Sequence, residues 1–194
     1  MITIQSKEEL LTVLDSYYLP ISTWGKNATK TVEHLLKEID EEECILEAVI
    51  NYDYEPWIVQ LCRSIHVARV FVVTKIHNDL LFLRESKQVF KDGSERERHT
   101  MSSIGEKIAK GENPMQAAIR GAREELGLDL GDYLQSVSTE VHGSVKQSSS
   151  YPGLLTRKCF YNFFVMLPKE FYDPDGYREK QEDKITYFDW QKII

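Results

Sequence analysis

Apolar residues recur at a helical period in three segments of the chain, and the clearest lies between residues 113 and 127. Counting from Met115, apolar side chains follow three, four, seven and eleven positions later, which is the spacing of one helix face. Asn113 occupies the N-cap position, Pro114 the first helical position, and Gly127 follows the last apolar residue. The pattern therefore predicts a helix with both ends marked. Its apolar stripe consists of Met115, Ala118, Ile119, Ala122 and Leu126.

The rest of the pattern predicts two N-terminal helices followed by strands. Ser6 caps a helix from Lys7 to about Tyr18, and Thr29 or Thr31 opens a second helix. That helix ends in the acidic run 40–43, which we interpret as a solvated turn. From Cys44 onward, β-branched and aromatic residues favour strands. The predicted strands are residues 44–50, 57–63, 67–75, 80–84, 135–145 and 155–167, with a hairpin turn at 77–79.

Composition places the chain among globular proteins. Its 194 residues suffice for one domain with a sizeable core, and 42% hydrophobic with 28% charged residues is ordinary. Three widely spaced cysteines predict reduced core thiols. The net charge of −7 argues against a general nucleic-acid binder, which needs a basic surface. No apolar run approaches the roughly 20 residues of a membrane helix, and no signal peptide is evident, so we expect a cytoplasmic location without a membrane partner.

Candidate chemistry lies on the side of the 114–126 helix opposite the apolar stripe. The adjacent carboxylates of Glu124 and Glu125 can hold a hard cation through oxygen ligands. The alternative is a solvated acidic face paired with Arg120, four positions before Glu124, or with Arg123. This polar side comprises Gln116, Arg120, Gly121, Glu124 and Glu125.

Residues 105–128 resemble the Nudix box, G-x5-E-x7-R-E-U-x-E-E-x-G-U, in which U is a bulky apolar residue. Glu112, Arg120 and the run EELGL at 124–128 match the pattern in type and spacing. Two positions depart from it. Glu106 stands where the box has Gly, although Gly105 precedes it, and Gly121 stands where the box has Glu.

The resemblance implies a fold and a function. The implied fold is a Nudix-type α/β/α sandwich with a mixed, partly antiparallel sheet, formed by residues 67–194 behind a helical and strand extension at 1–66. The implied function is metal-dependent hydrolysis of a diphosphate linkage in a nucleoside diphosphate derivative, with Mg²⁺ or Mn²⁺ as the cofactor. The expected partner is a small phosphate-bearing molecule, and the sequence is compatible with a homodimer.

The resemblance also implies roles for individual residues. Glu124 and Glu125 bind the metal, and Glu112 orients Arg120 through a salt bridge. The carbonyl of Gly105 faces the metal from the preceding loop. These four side chains and this carbonyl form the predicted catalytic and metal-binding set.

The Glu that is missing at position 121 is one of three helix carboxylates that bind metal in the family. We therefore hypothesise that the carboxylate of Glu106 fills the vacant position, against the alternative that it points to solvent. An additional ligand or general base is expected near the C-terminus by the same resemblance. The candidates there are Glu179, Glu182 and Asp183.

Substrate contacts are predicted outside the box. The polar stretch 85–100 carries Arg96 and Arg98, whose planar guanidinium groups match phosphate oxygens, and Arg84 immediately precedes it. The alternative for this stretch is a solvated hairpin, since glutamates alternate with the arginines. Tyr151 is a candidate to stack on a base, or else belongs to a plain turn.

The loss of the Glu at 121 also favours a rival function from another class. In this alternative the protein is a catalytically inactive Nudix-fold module that binds a nucleotide or an ADP-ribose-like ligand. A third alternative is that the protein isomerises an isoprenoid diphosphate. Neither a G-x-S-x-G nucleophile elbow nor an H-E-x-x-H metal motif occurs in the sequence.

Overall fold

The computed structural model of the chain describes residues 2–26, 29–51 and 58–193. The chain folds into two compact units. Unit 1 combines residues 1–66 with the later segments 109–111 and 142–159, and unit 2 contains residues 67–108, 112–141 and 160–194. None of the described helices is both long and apolar enough to cross a membrane.

Unit 1 contains the two predicted N-terminal helices, α1 (Lys7–Ser16) and α2 (Val32–Asp40). The Ser6 side chain accepts a hydrogen bond from the backbone of Glu9, and Thr31 caps α2 through the backbone N–H of His34. These side chains satisfy helix N–H groups that have no partner within the helix, which fixes both starts. The short 3₁₀ turn Ile21–Thr23 connects the helices.

The long strand β2 (Ile58–Ile76) corrects the prediction of two separate strands at 57–63 and 67–75. Its first part pairs antiparallel with β1 (Ile45–Asn51), up to the pair Ser64 and Ile45. Its backbone pairs again from Val67 onward with β5 (Ile104–Lys107), so residues 64–67 stay extended and no turn separates the segments. Trp57, which was predicted to begin the first of these strands, lies outside the described residues.

The later strands of the chain are β3 (Asp79–Phe90), β4 (Glu95–Glu97), β5 (Ile104–Lys107), β6 (Gln135–His142), β7 (Lys146–Gln147), β8 (Leu155–Met166), β9 (Tyr177–Lys180) and β10 (Lys184–Lys192). In the sheet the strands follow the order β6-β8-β2-β3-β10-β9, with β5 paired to β2 and β4 to β3. The pairs β2–β3, β2–β5, β3–β4, β3–β10 and β9–β10 are antiparallel. Strand β3 extends the predicted return strand of the hairpin from residue 84 to residue 90.

Helix α3 (Pro114–Leu126) packs on this sheet and is the helix predicted from the apolar stripe. Asn113 and Gln116 form a capping box, and Gly127 ends the helix in the left-handed conformation with φ 70°. The buried side of α3 includes Gly121, which was predicted on the polar side. The physical reason is the close approach of β5 at this point, described below. The buried residues of α3 are Ala117, Ala118, Gly121, Ala122 and Leu126.

The predicted fold class is confirmed as a mixed α/β architecture with a large, partly antiparallel open sheet and, in the described part of the chain, three α-helices. The core of unit 2 lies between α3 and the sheet, where residues such as Val70, Leu83 and Phe163 are buried. The three cysteines, Cys44, Cys62 and Cys159, are buried and form no disulfide, as predicted.

Candidate functional site

Strand β5 brings Glu106 against Gly121 of helix α3. A Cβ atom at position 121 would lie 3.0 Å from the Cβ of Glu106 and 3.0 Å from Cγ2 of Ile104. Separations this short are tighter than ordinary packing, so a side chain there would require Glu106 and Ile104 to move by a few tenths of an ångström. An interior glycine costs a helix about 1 kcal/mol relative to alanine, so this residue has a packing reason. The two departures from the Nudix box are thus in direct contact with each other.

A carboxylate-rich cleft of about 330 Å³ lies beside this contact. The five glutamates that line it come from β3 (Glu85), β5 (Glu106), α3 (Glu124 and Glu125) and β9 (Glu179). Four separate elements therefore direct acidic side chains into one space. The other described lining residues are Gln88, Arg98, Thr100, Ser102, Ser103, Gly105, Gln181 and Thr186.

Arg120 connects several of these carboxylates. Its Nε and Nη2 donate to the two oxygens of Glu112 at 2.8 and 3.0 Å, and Nη2 also donates to the carbonyl of Lys107 at 2.8 Å. Its Nη1 lies 3.2 Å from Glu106 Oε1 and 3.3 Å from Glu124 Oε2. Hydrogen bonding to Glu112 raises the pKa of Arg120, and the charge of Glu106 contributes. The fixed guanidinium thus holds carboxylates from a loop, a strand and the helix.

Glu125 lies partly buried in the cleft, among the other carboxylates that line it. Burial raises the pKa of Glu125 to about 9, and the nearby charges of Glu179, Glu106, Glu85 and Glu124 contribute to the increase. Burial also raises the pKa of Glu106, although Arg120 opposes this effect. A bound cation would relieve both effects, because it stabilises the ionised carboxylates.

The cleft offers carboxylate oxygens, the type of ligand that a hard divalent cation such as Mg²⁺ or Mn²⁺ prefers. Glycine at position 121 leaves the space in which the Glu106 side chain reaches the cleft. Among the described residues, no three His, Cys, Asp or Glu side chains are arranged to coordinate one ion. In the structure, Arg120 contacts two of the candidate ligands, Glu106 and Glu124.

The three candidate arginines occupy different places. Arg98 lines the cleft, where its Nε pairs with Glu85 Oε1 at 3.0 Å. Arg84 lies outside the described lining of the cleft, and its Nε donates to the carbonyl of Thr100 at 2.8 Å. Arg96 is exposed on β4, and it too lies outside that lining. Arg98 is therefore the arginine that the structure places with the carboxylates.

Tyr151 lies in unit 1 and is completely buried. Its ring packs against Trp24 with centroids 5.1 Å apart, and the guanidinium of Arg63 lies 4.9 Å from the ring centre. Burial raises the pKa of its hydroxyl. The ring offers no exposed face to a substrate, so the prediction that Tyr151 stacks on a base is wrong for this structure.

Of the three C-terminal candidates, Glu179 lines the cleft, whereas Glu182 and Asp183 are exposed outside its described lining. Sequence reasoning missed Glu85, whose side chain is only 12% exposed. Strand periodicity could have found it, because Glu85 lies two residues after the buried Leu83 and therefore on the same strand face. Because the predicted strand ended at Arg84, Glu85 was not recognised as a residue on the face of Leu83.

The sequence between residues 64 and 191 matches the family model described as the NUDIX domain. Similar solved structures include an Ap4A hydrolase binary complex from C. elegans, with 15% identity, 66% of this chain and 79% of that chain covered, and a TM-score of 0.40. The dihydroneopterin triphosphate pyrophosphohydrolase of E. coli is 17% identical over 64% of this chain and 78% of that chain, with a TM-score of 0.40.

The NUDIX domain of Shewanella oneidensis NrtR, complexed with ADP ribose, is 11% identical over 74% of this chain and 79% of that chain, with a TM-score of 0.37. No curated protein matches the sequence. The NUDIX family model covers more than half of the chain and includes the described lining residues of the carboxylate cleft. The chain therefore belongs to the NUDIX domain family.

Proposed function

We propose that the protein is a metal-dependent hydrolase that cleaves a diphosphate linkage in a nucleoside diphosphate derivative. The observation that carries this proposal is the cleft in which α3, β3, β5 and β9 each contribute a carboxylate beside Arg98. Membership of the NUDIX family supports pyrophosphohydrolase activity. A cleft with this excess of acidic groups suits a phosphate-bearing substrate only when a cation accompanies it, since phosphate and carboxylate repel each other.

Glu124, Glu125 and Glu106 would hold Mg²⁺ or Mn²⁺, together with the carbonyl of Gly105 at the edge of the cleft. When bound, the cation supplies charge stabilisation to the phosphate oxygens and makes water a better nucleophile. We expect hydrolysis to require the metal because the cleft carboxylates repel the phosphate groups of the substrate. Without a cation, Glu125 holds a proton at neutral pH, since its pKa is raised to about 9.

The other residues of the site bind, orient and accept protons. Glu112 fixes Arg120 through two hydrogen bonds, and Arg120 in turn positions Glu124. Arg98 is the substrate-binding cation, because its guanidinium can exchange Glu85 for a phosphate oxygen within the same cleft. We assign Glu179, which reaches the cleft from β9 rather than from α3, as the carboxylate that accepts a proton from the attacking water.

The alternative is a binding module that retains the ligand without cleaving it. Gly121 favours this alternative, because the helix lacks one carboxylate of the NUDIX pattern. In that case the cleft holds a nucleotide or an ADP-ribose-like ligand, and Arg98 still contacts phosphate. The two functions differ in turnover rather than in ligand class.

A substrate panel tests the proposal. Dinucleoside polyphosphates, nucleotide sugars, NAD and ADP-ribose are incubated with the protein and Mg²⁺ or Mn²⁺, and phosphate-bearing products are followed. We expect one of them to be cleaved with a kcat of roughly 1 s⁻¹ or above. The matched control is Glu124→Gln/Glu125→Gln, which removes both helix carboxylates without changing their size. If no member of the panel is cleaved but one of them binds, the binding-module function replaces the enzyme.

A further inference from the structure

We propose that Glu106 and Gly121 are an exchanged pair, in which strand β5 supplies to the cation site the carboxylate that α3 lacks at position 121. The inference rests on the proposed function in one respect, namely that the cleft binds a divalent cation. It goes further by assigning a ligand that lies on a different element from the other two.

The geometry of the α3–β5 contact shows that the two side chains compete for one space. Position 121 lies three and four residues before Glu124 and Glu125, so a side chain there would project from the same side of the helix. Its Cβ would lie 3.0 Å from the Cβ of Glu106 and 3.4 Å from its Cγ. The aliphatic part of Glu106 therefore occupies the volume that a longer residue 121 would need.

The Glu106 carboxylate contacts the guanidinium of Arg120, which Glu124 of the helix also contacts. Its Oε1 lies 3.2 Å from Arg120 Nη1, and the same Nη1 lies 3.3 Å from Glu124 Oε2. The backbone N–H of Lys107 donates to Glu106 Oε1 at 3.0 Å, which orients the carboxylate. Glu106, Glu124 and Glu125 all line the same cleft. One carboxylate from β5 and one from α3 thus already share a single cationic partner.

A role limited to neutralising Arg120 would not require Glu106. Glu112 already engages Arg120 through two hydrogen bonds, at 2.8 and 3.0 Å, and the Lys107 carbonyl accepts a third at 2.8 Å. Glu106 is 24% exposed at its side chain, so its carboxylate remains accessible from the cleft. Its position favours cation binding over a structural ion pair.

Binding of Mn²⁺ to the full-length protein, followed by titration calorimetry and by the electron paramagnetic resonance of free Mn²⁺, tests the exchange without any substrate. Glu106→Gln keeps the size and the acceptor of the side chain and removes its charge. We expect this variant to bind Mn²⁺ more weakly by at least tenfold, the lower end of the roughly 10- to 100-fold range for loss of a group that supports a metal ligand. Glu97→Gln, which changes an exposed glutamate on β4, is the matched control and should bind Mn²⁺ as the parent does.

The decisive variant is Glu106→Gly/Gly121→Glu, which returns the carboxylate to the helix and opens the space it needs. We expect its Mn²⁺ affinity to recover to within about threefold of the parent, roughly 0.7 kcal/mol. Gly121→Glu alone should not show this recovery in the Glu106→Gln background, because the Glu106 Cβ and Cγ contacts are retained there. Circular dichroism and melting curves establish that each variant is folded.

Three outcomes overturn the exchange. One is unchanged Mn²⁺ affinity in a folded Glu106→Gln variant, and another is a folded double variant that binds no better than Glu106→Gln. The third is a parent protein that binds no Mn²⁺, which removes the cation site whatever the substrate panel shows. A parent that binds Mn²⁺ through Glu106 but cleaves no substrate keeps the exchange and overturns only the proposed hydrolysis.

Discussion

Arg120 forms ion pairs with several carboxylates at the cleft. It is 31% exposed, yet its guanidinium contacts carboxylates from the loop before α3, from β5 and from α3 itself. Charge-assisted hydrogen bonds of this kind are stronger than neutral ones, and two of them act on the same carboxylate, Glu112. We therefore propose that Arg120 positions Glu124, whose Oε2 lies 3.3 Å from Arg120 Nη1, rather than contacting the substrate.

Arg98 is expected to contribute to phosphate affinity, whereas Arg96 is not. Arg98 lines the cleft and can leave Glu85 for a phosphate, while Arg96 is exposed on β4 outside the described lining. Arg98→Gln should weaken the binding of pyrophosphate, measured by calorimetry with Mg²⁺, by about 1.5 kcal/mol, the scale of a charged hydrogen bond. Arg96→Gln is its control and should leave the dissociation constant unchanged. Equal losses in both variants would mean that the whole β3–β4 hairpin contacts the ligand.

At the scale of elements, the helix of the site could be predicted and its strands only in part. The Asn113 cap, Pro114 and Gly127 act locally, so their positions fixed the bounds of α3 from sequence. The continuity of β2 depends on pairing with β1 and then β5, neither of which is adjacent in sequence. The burial of Gly121 depends on β5 in the same way. Local sequence patterns therefore could not predict the pairing of strands that are distant in the sequence.

The residues that line the cleft could also be predicted only in part from the sequence. The spacing of the Nudix box identified Glu124 and Glu125 as a pair, because both belong to one continuous segment of the sequence. Glu85 and Glu179 reach the cleft from β3 and β9, and only the sheet order brings these strands to α3. The prediction for Tyr151 was wrong for a related reason, because Tyr151 packs against Trp24, which lies more than 100 residues earlier in the chain.

The α3–β5 contact predicts the effect of adding one methyl group at position 121. Gly121→Ala places a Cβ 3.0 Å from both Glu106 Cβ and Ile104 Cγ2. Overpacking costs about 1–3 kcal/mol and better helix propensity returns about 1 kcal/mol, so we expect a net loss of about 1 kcal/mol in unfolding free energy. Urea denaturation in EDTA measures it. The loss should shrink when Glu106→Gly is also present, and a stabilised Gly121→Ala would show that β5 yields to the helix.

At the scale of the whole molecule, the acidic balance and the cleft point to the same requirement. The chain carries a net charge of −7, and five glutamates line the cleft against Arg98. An anionic substrate approaches such a surface more readily when a divalent cation neutralises part of the charge. The described residues that line the cleft belong to unit 2, and the NUDIX match covers them.

The central claim is that Glu124 and Glu125 bind a divalent cation, and thermal unfolding with and without metal tests it most directly. A cation that binds only the folded state adds about 2.7 kcal/mol at 100 times its dissociation constant, enough to raise the melting temperature measurably. We predict that Mg²⁺ and Mn²⁺ both stabilise the parent protein and that Glu124→Gln/Glu125→Gln abolishes this response. A double variant that gains as much stability from metal as the parent does would contradict the account, because the cation would then be bound elsewhere.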